Sequence, residues 1–265
     1  NLEKAAARTY KIAESNDTAA ASGAQQIINL LPICLKSCNS VTILGPTYSE
    51  YEKAFKSSGI KTQTVSEVSK LSSSDIAIIV NPNNPTGKVI ADEMLEDLSK
   101  KVRILIIDES FKMFSSRRTL NFSNIIQINS LGKFFGLAGI RLGFVSGPSD
   151  FIKTVKKMLG PWPVSSLAAE IGIVALNDRV WISEMEKILV TESNILYEAC
   201  NSTNWELVGR TSLFHTYATS SCLEVEKQFA AFGIWVRTFD YSETWVRIGI
   251  PTSKNQWERV KKALN

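Results

Sequence analysis

Asp75-Ile-Ala-Ile-Ile-Val-Asn-Pro-Asn-Asn-Pro-Thr-Gly87 carries an apolar run straight into a tight turn. Asp75 to Val80 reads as a strand, and the prolines and asparagines that follow force the turn at its carboxyl end. The same grammar repeats on both sides. Val41-Thr-Ile-Leu44 ends at Gly45-Pro-Thr-Tyr48, and Val102-Arg-Ile-Leu-Ile-Ile107 ends at Asp108-Glu-Ser-Phe111. Ile125-Ile-Gln-Ile128 leads into a glycine-rich lysine stretch, and Leu142-Gly-Phe-Val-Ser146 follows it. Between the strands lie helical patterns at Ser49 to Ser58, closed by Gly59, and at Asp92 to Lys101. Lys61 to Val65 alternates and reads as a further strand. This order predicts an α/β fold with a doubly wound, mainly parallel sheet.

Working outward, Leu2 to Ala13 reads as a helix with Leu2, Ala6, Tyr10 and Ala13 on one side. Thr18 to Ser22 is small and polar. Ser22-Gly-Ala-Gln-Gln26 opens an apolar helical run, Ile27 to Ile33. From Phe151 the pattern is mainly helical, broken at Leu159-Gly-Pro-Trp-Pro-Val-Ser165. Helices are expected at Leu167 to Leu176 and Trp181 to Cys200. Short strands (Trp205 to Val208, Leu213 to Ala218, Ile234 to Arg237, Trp245 to Ile250) surround a helix from Leu223 to Phe232, and a last helix spans Asn255 to Leu264. The division expected is a large domain over 1–185 and a small C-terminal α+β domain over 186–265. The chain opens at Asn1 directly in a helical pattern, so an N-terminal segment is expected ahead of it.

Bulk composition narrows the function classes. Thirty basic and 26 acidic residues are well mixed, with no basic run to suggest nucleic acid. No apolar run is long enough to span a membrane, and no signal-peptide pattern is present. The four cysteines form no CxxC pair, and His215 is the only histidine. A Cys/His metal site is therefore not expected, and a His-based triad has one weak candidate. Cys34 and Cys38 read as half-buried thiols in a reducing compartment, the cytoplasm.

In sheets of this class, ligands bind beyond the carboxyl ends of the strands. Tyr48, Asn84, Asp108 and Lys133 each follow such an end. Lys133 lies among Gly, Ala, Leu and Phe, a setting expected to solvate it poorly and favour the neutral amine. A neutral amine is the nucleophile that forms a Schiff base with an aldehyde. Asp108 could pair with a protonated aromatic nitrogen and make the ring an electron sink. Asn84 could donate to a ring oxygen, and Tyr48 could lie against the ring face. Arg141, Ser130 and the helix start at Ser22 to Gln25 could hold a phosphate. Singly, each has an ordinary alternative: Asp108 a helix cap, Asn84 a turn residue, Tyr48 core, Arg141 a surface pair. Their joint placement at strand ends is what suggests one site.

Asn81-Pro-Asn-Asn-Pro-Thr-Gly87, Asp108-Glu-Ser-Phe111 and Ser130-Leu-Gly-Lys-Phe-Phe-Gly-Leu-Ala-Gly-Ile-Arg-Leu-Gly-Phe144 resemble the motifs of fold-type-I pyridoxal-phosphate enzymes. The resemblance is to the class I/II aminotransferase group, which includes histidinol-phosphate aminotransferases, and it covers essentially the whole chain. It implies pyridoxal 5'-phosphate as cofactor and Lys133 as the residue that binds it covalently and later shuttles a proton. It implies Asp108 at the ring nitrogen, Asn84 at the ring hydroxyl, Tyr48 stacked on the ring, and Ala24, Gln25, Ser130 and Arg141 at the phosphate. It implies that Arg247, in Trp245-Val-Arg-Ile-Gly249, clamps the substrate carboxylate, where the ordinary alternative is a surface arginine in an edge strand. A homodimer is implied as well.

Within the group, Ser22 to Pro32, Phe134-Phe135 and Leu159 to Ser165 are similar to the threonine-phosphate decarboxylases of cobalamin biosynthesis. Phe111 stands where aminotransferases usually carry a tyrosine. The resemblance thus implies decarboxylation of an amino-acid phosphate, with transamination of histidinol phosphate or a related amino acid, or a truncated non-catalytic relative, as alternatives. Ser115-Ser-Arg-Arg118 departs from the group's pattern; it reads as a solvated loop, or as a binder of substrate phosphate through Arg117 and Arg118.

Overall fold

The computed structural model describes all 265 residues. They fall into two compact units, Asn1–Asn84 with Val89–Arg179, and Pro85–Lys88 with Val180–Asn265. The boundary expected at 185/186 lies inside the helix that begins at Arg179, because that helix continues unbroken to Cys200.

The first unit runs α1 (Leu2–Thr9), β1 (Asp17–Ala21), α2 (Ala24–Cys34), β2 (Ser40–Leu44), α3 (Glu50–Ser57) and β3 (Lys61–Val65). It continues with β4 (Ile76–Val80), α4 (Asp92–Ser99), β5 (Ile104–Asp108), β6 (Ile125–Ser130), β7 (Gly143–Gly147), α5 (Ser149–Leu159) and α6 (Ser166–Asn177). Its seven strands form one sheet in the order β1-β7-β6-β5-β4-β2-β3. β3, β2, β4, β5 and β6 are mutually parallel, while β7 runs antiparallel to both β6 and β1. The sheet is therefore mainly parallel, as the sequence predicts.

Every residue of β4 is buried, because the sheet is covered on both faces. Side chains alternate along a strand. Ile76, Ile78 and Val80 accordingly join a core with Ile27, Ile28 and Leu31 of α2, Tyr51 and Phe55 of α3, and Ile152 and Val155 of α5. Ala77 and Ile79 join the opposite core with Leu95 and Leu98 of α4.

Three readings need correction, one of them the strand expected at Ile234 to Arg237, which the structure places at Arg237–Phe239. The stretch read only as small and polar from Thr18 is strand β1, paired with β7 from Asp17↔Gly147 to Ala21↔Gly143. Three alanines give weak strand propensity, and tertiary pairing decides the outcome. The first helix stops at Thr9 and not at Ala13, although Tyr10 and Ala13 stay buried as expected.

The second unit contains α7 (Arg179–Cys200) from Val180 on, then β8 (Glu206–Arg210), β9 (Phe214–Ala218) and α8 (Cys222–Ala230). It ends with β10 (Arg237–Phe239), β11 (Ser242–Gly249) and α9 (Lys254–Leu264). Its sheet has the order β10-β11-β9-β8 and is antiparallel throughout. The core packs Leu196 and Cys200 of α7, Val225 and Phe229 of α8, and Val260 and Ala263 of α9 on Tyr217, Val246 and Ile248. Pro85–Lys88 belongs here as a strap. The Thr216 hydroxyl donates to the Pro85 carbonyl at 2.6 Å. A Cβ on Gly209 would stand 1.9 Å from the Thr86 carbonyl oxygen, so only glycine admits the strap.

Candidate active site

Period-two alternation places Asp108, the last residue of β5, on the same face as Ile106, toward α2 and α3. It is buried. The Tyr51 hydroxyl donates to its Oδ2 at 2.7 Å, and the Ser110 backbone N–H donates to Oδ1 at 2.8 Å. Burial pushes the carboxyl above its ordinary range, and the donors Ser110 and Tyr51 and the Lys133 charge pull it back. Tyr51 is itself fully buried, and burial followed by the Asp108 charge holds its hydroxyl far above its ordinary value. It therefore stays a donor. Sequence reasoning missed Tyr51, reading it only as part of a helix; the available signal was a tyrosine one helical turn after Tyr48, on the face turned to the strand ends.

Lys133 sits in the turn after β6 and is exposed, contrary to the expectation of a poorly solvated amine. The apolar neighbours do not surround it: Leu131, Phe134 and Phe135 turn into the core. Its Nζ lies over the Phe111 ring, 5.2 Å from the centroid, a cation–π placement. Ser130, half-buried at the end of β6, accepts the Gly132 N–H on its hydroxyl at 3.1 Å and shapes this turn.

Helix α2 begins at Ala24 after Gly23, whose φ of 85° suits glycine. The helix has no side-chain cap and no acidic residue in its first turn, so the positive end of its dipole is uncompensated there. Arg141 adds to that charge. A Cβ on Gly23 would lie 2.7 Å from its Nη2, and its Nη1 donates to the Ala138 carbonyl at 3.3 Å. Gly143 lets β7 approach the same point, since a Cβ there would lie 2.5 Å from the Ala24 nitrogen. Ala24 and Arg141 are thus brought together.

The Gln25 side chain is occupied elsewhere. It accepts the Tyr48 hydroxyl at 2.9 Å and donates to Asn29 at 3.0 Å and Glu50 at 3.2 Å. Its side chain orients Tyr48, and only its backbone remains at the helix start. Tyr48 is 39% exposed, not core. Burial raises its hydroxyl pKa, with Glu50 and then Asp108 adding to the effect.

Asn84 is half-buried, the last residue of the first unit before the strap. The other asparagines pin its turn. Asn81 donates to the Ile90 carbonyl and accepts the Ile90 N–H, both at 2.9 Å. Asn83 donates to the Pro46 carbonyl at 3.0 Å and accepts the Thr47 hydroxyl at 2.6 Å.

Arg117 is neither solvated nor turned to a phosphate. It is buried, pairs with Glu109 at 2.9 Å, donates to the Glu109 and Lys112 carbonyls, and lies 4.7 Å over the Tyr10 ring. Glu109 also binds Lys112 at 2.7 Å and the Gln127 amide at 3.2 Å. Arg118 is exposed, 3.8 Å from Asp92.

In the second unit, β11 is an interior strand, so Arg247 is not an edge residue. It stands opposite Thr216 of β9 and Arg237 of β10, with its guanidinium 5.1 Å over Phe214. Burial, then Arg237, lowers its pKa. Like charges directly opposite one another are unfavourable. Arg237 was overlooked in the sequence; its place in a predicted strand beside that of Arg247 was the signal. His215, the weak triad candidate, is fully buried between Ser193 (2.7 Å) and Tyr217 (3.0 Å).

The first unit thus presents a buried carboxylate, an exposed primary amine whose charge acts on it, a half-exposed tyrosine, and an uncapped helix start beside a guanidinium. Groups of these kinds are chemically suited, respectively, to a cationic nitrogen, an aldehyde, an aromatic face and a phosphate. No group of His, Cys, Asp and Glu in the chain is placed to hold a metal ion.

The family description "Aminotransferase class I and II" matches residues 1–264. The threonine-phosphate decarboxylase of Pseudomonas aeruginosa is 31% identical over 256 residues, covering 92% of this chain and 76% of that protein. A histidinol-phosphate aminotransferase of Buchnera aphidicola subsp. Schizaphis graminum is 27% identical over 205 residues, 69% of this chain and 58% of that one. The structure of histidinol-phosphate aminotransferase from Sinorhizobium meliloti in complex with pyridoxal-5'-phosphate superposes with a TM-score of 0.84 at 15% identity, over 99% of this chain and 79% of the other.

Proposed function

Because this chain belongs to the class I and II aminotransferase family, we propose that it is a pyridoxal 5'-phosphate enzyme that decarboxylates L-threonine O-3-phosphate to aminopropanol phosphate, for cobalamin biosynthesis. The observation that carries the cofactor reading is the pairing of opposite electrostatic demands in one unit: buried Asp108 calls for a cation, while the uncapped α2 start with Arg141 calls for an anion. A ring with a protonated nitrogen and a phosphate meets both. When bound, the cofactor supplies an aldehyde for amine condensation and a cationic ring that accepts the electron pair released at the substrate Cα.

The chain's own residues do the rest. Lys133 provides the condensing amine and afterwards a proton for Cα. Asp108 holds the proton on the ring nitrogen. The backbone of Ala24 and Gln25, with Ser130 and Arg141, holds the phosphate, and Tyr48, oriented by Gln25, lies against the ring. Asn84 donates to the ring oxygen. Arg247 and Arg237 receive substrate anions. In decarboxylation the Cα–carboxylate bond breaks, CO₂ leaves and a proton takes its place, with no net oxidation. What supports this reaction over transamination is the higher identity to a decarboxylase, 31% over 92% of the chain against 26% over 90% for a histidinol-phosphate aminotransferase, together with Phe111. The companion proposals are a homodimer working in the cytoplasm; no helix of the chain is long and apolar enough to cross a membrane.

The test adds L-threonine O-phosphate to cofactor-loaded protein and measures CO₂ and keto acid, with Lys133→Ala as control. Lys133-dependent CO₂ without keto acid is expected. Keto acid without CO₂ would establish an aminotransferase instead. A protein that fails to take up the cofactor would favour the non-catalytic relative.

A further inference from the structure

The Tyr51 hydroxyl is spent on Asp108, and Tyr51 is among the largest fully buried side chains of the protein. Its hydroxyl meets one carboxylate oxygen at 2.7 Å while the Ser110 N–H meets the other at 2.8 Å. We propose that Tyr51 is a positioning residue that keeps the proton shared by Asp108 and the cofactor on the ring nitrogen. This rests on the cofactor reading above.

A buried carboxylate facing a pyridine-type nitrogen has two forms with the same number of protons. In one, the carboxylate faces a protonated nitrogen; in the other, a carboxylic acid faces a neutral one. Burial favours the neutral pair. Donors to the carboxylate favour the ion pair, since hydrogen bonds to a charged acceptor are about twice as strong as those to a neutral one. Only the ion pair makes the ring a strong electron sink. The groups facing Asp108 are few. Tyr51 comes from α3, Tyr48 from the segment before it, and Lys133 from the turn after β6. Its neighbour Glu109 is engaged with Lys112 and Arg117 instead. Lys133 changes partner during the reaction, which leaves Tyr51 and Ser110 as the constant donors. The placement is rigid, because Tyr51 and Phe55 anchor α3 in the core beneath the sheet.

Tyr51→Phe keeps the ring and its packing and removes only the donor. The experiment loads wild type, Tyr51→Phe, Asp108→Asn and the double variant with pyridoxal phosphate carrying ¹⁵N in the ring. It records the nitrogen chemical shift and, separately, kcat and KM. In Tyr51→Phe the shift moves toward the unprotonated value and kcat falls by about ten- to a hundredfold, the range of one hydrogen bond to a charged group, with KM nearly unchanged. Adding Tyr51→Phe to Asp108→Asn changes nothing further. A wild-type shift in Tyr51→Phe, with Asp108→Asn displaced, overturns this inference and leaves the cofactor reading standing. Failure of the wild type to bind the cofactor, or an Asp108→Asn shift equal to wild type, overturns the cofactor reading itself.

Discussion

Asp108 and Glu109 are adjacent in the chain and serve opposite ends. Asp108 takes neutral donors on the α2–α3 face, whereas Glu109 is enclosed by two cations, Lys112 and Arg117. Removing one partner of a buried ion pair leaves the other charge uncompensated, at a cost of about 3–5 kcal/mol. Glu109→Gln is therefore expected to lower stability by about that much in urea titration, whereas the exposed Arg118→Ala changes it by less than about 0.5 kcal/mol. Equal losses would show that the cluster is not what holds this corner. The cluster was illegible in Ser115-Ser-Arg-Arg118, because two adjacent arginines look alike in sequence and only the fold sends one inward. The exposure of Lys133 was hidden for the converse reason: apolar neighbours in a turn can point away from the residue they flank. The burial of Asp108 was legible, because it ends an apolar strand in the middle of the sheet.

Among the elements, β4 and β5 were readable from their continuous apolar runs, and β1 was not, since its alanines acquire strand geometry only by pairing with β7. The close approach of β7 to the start of α2 was equally hidden, because it depends on what Gly143 meets across the sheet. Gly143→Ala should push Ala24 away from Arg141. A fall in pyridoxal-phosphate affinity, measured by equilibrium titration, exceeding the fall for a Gly139→Ala control with open space around it, is the expected result; equal affinities would remove α2 from the phosphate site.

The packing of β9 against α7 carries its own pH dependence. Burial, with a smaller push from Arg210, drives His215 from 6.5 down to about 4. The unfolded chain then binds a proton that the folded one refuses, so this contribution is complete above pH 6.5 and is lost as pH falls toward 4. Its size is of the order of 3 kcal/mol. Urea midpoints should fall through that window in the wild type, and less steeply in His215→Gln. Parallel curves would mean that another group carries the dependence.

At the scale of the whole molecule, the strap Pro85–Lys88 makes the second unit discontinuous in sequence. A fragment beginning at Val180 would lack the carbonyl that Thr216 binds and the backbone that Gly209 admits. Such a fragment should show less chemical-shift dispersion than the same fragment supplied with a peptide spanning 81–90, and no gain on adding the peptide would show the strap to be dispensable. The change from apolar strands to long helices was legible as a change of period. A turn belonging to the later unit was not, because nothing local distinguishes a turn that stays from one that is borrowed. The order of synthesis gives this a consequence. A ribosome releases residues 85–88 well before it makes β8 and β9, the strands that will hold them. Throughout that interval the turn bearing Asn84 has only its own half of the protein to define it. The backbone of residues 85–88 therefore waits for its hydrogen-bond partner on Thr216 until the last third of the chain has emerged.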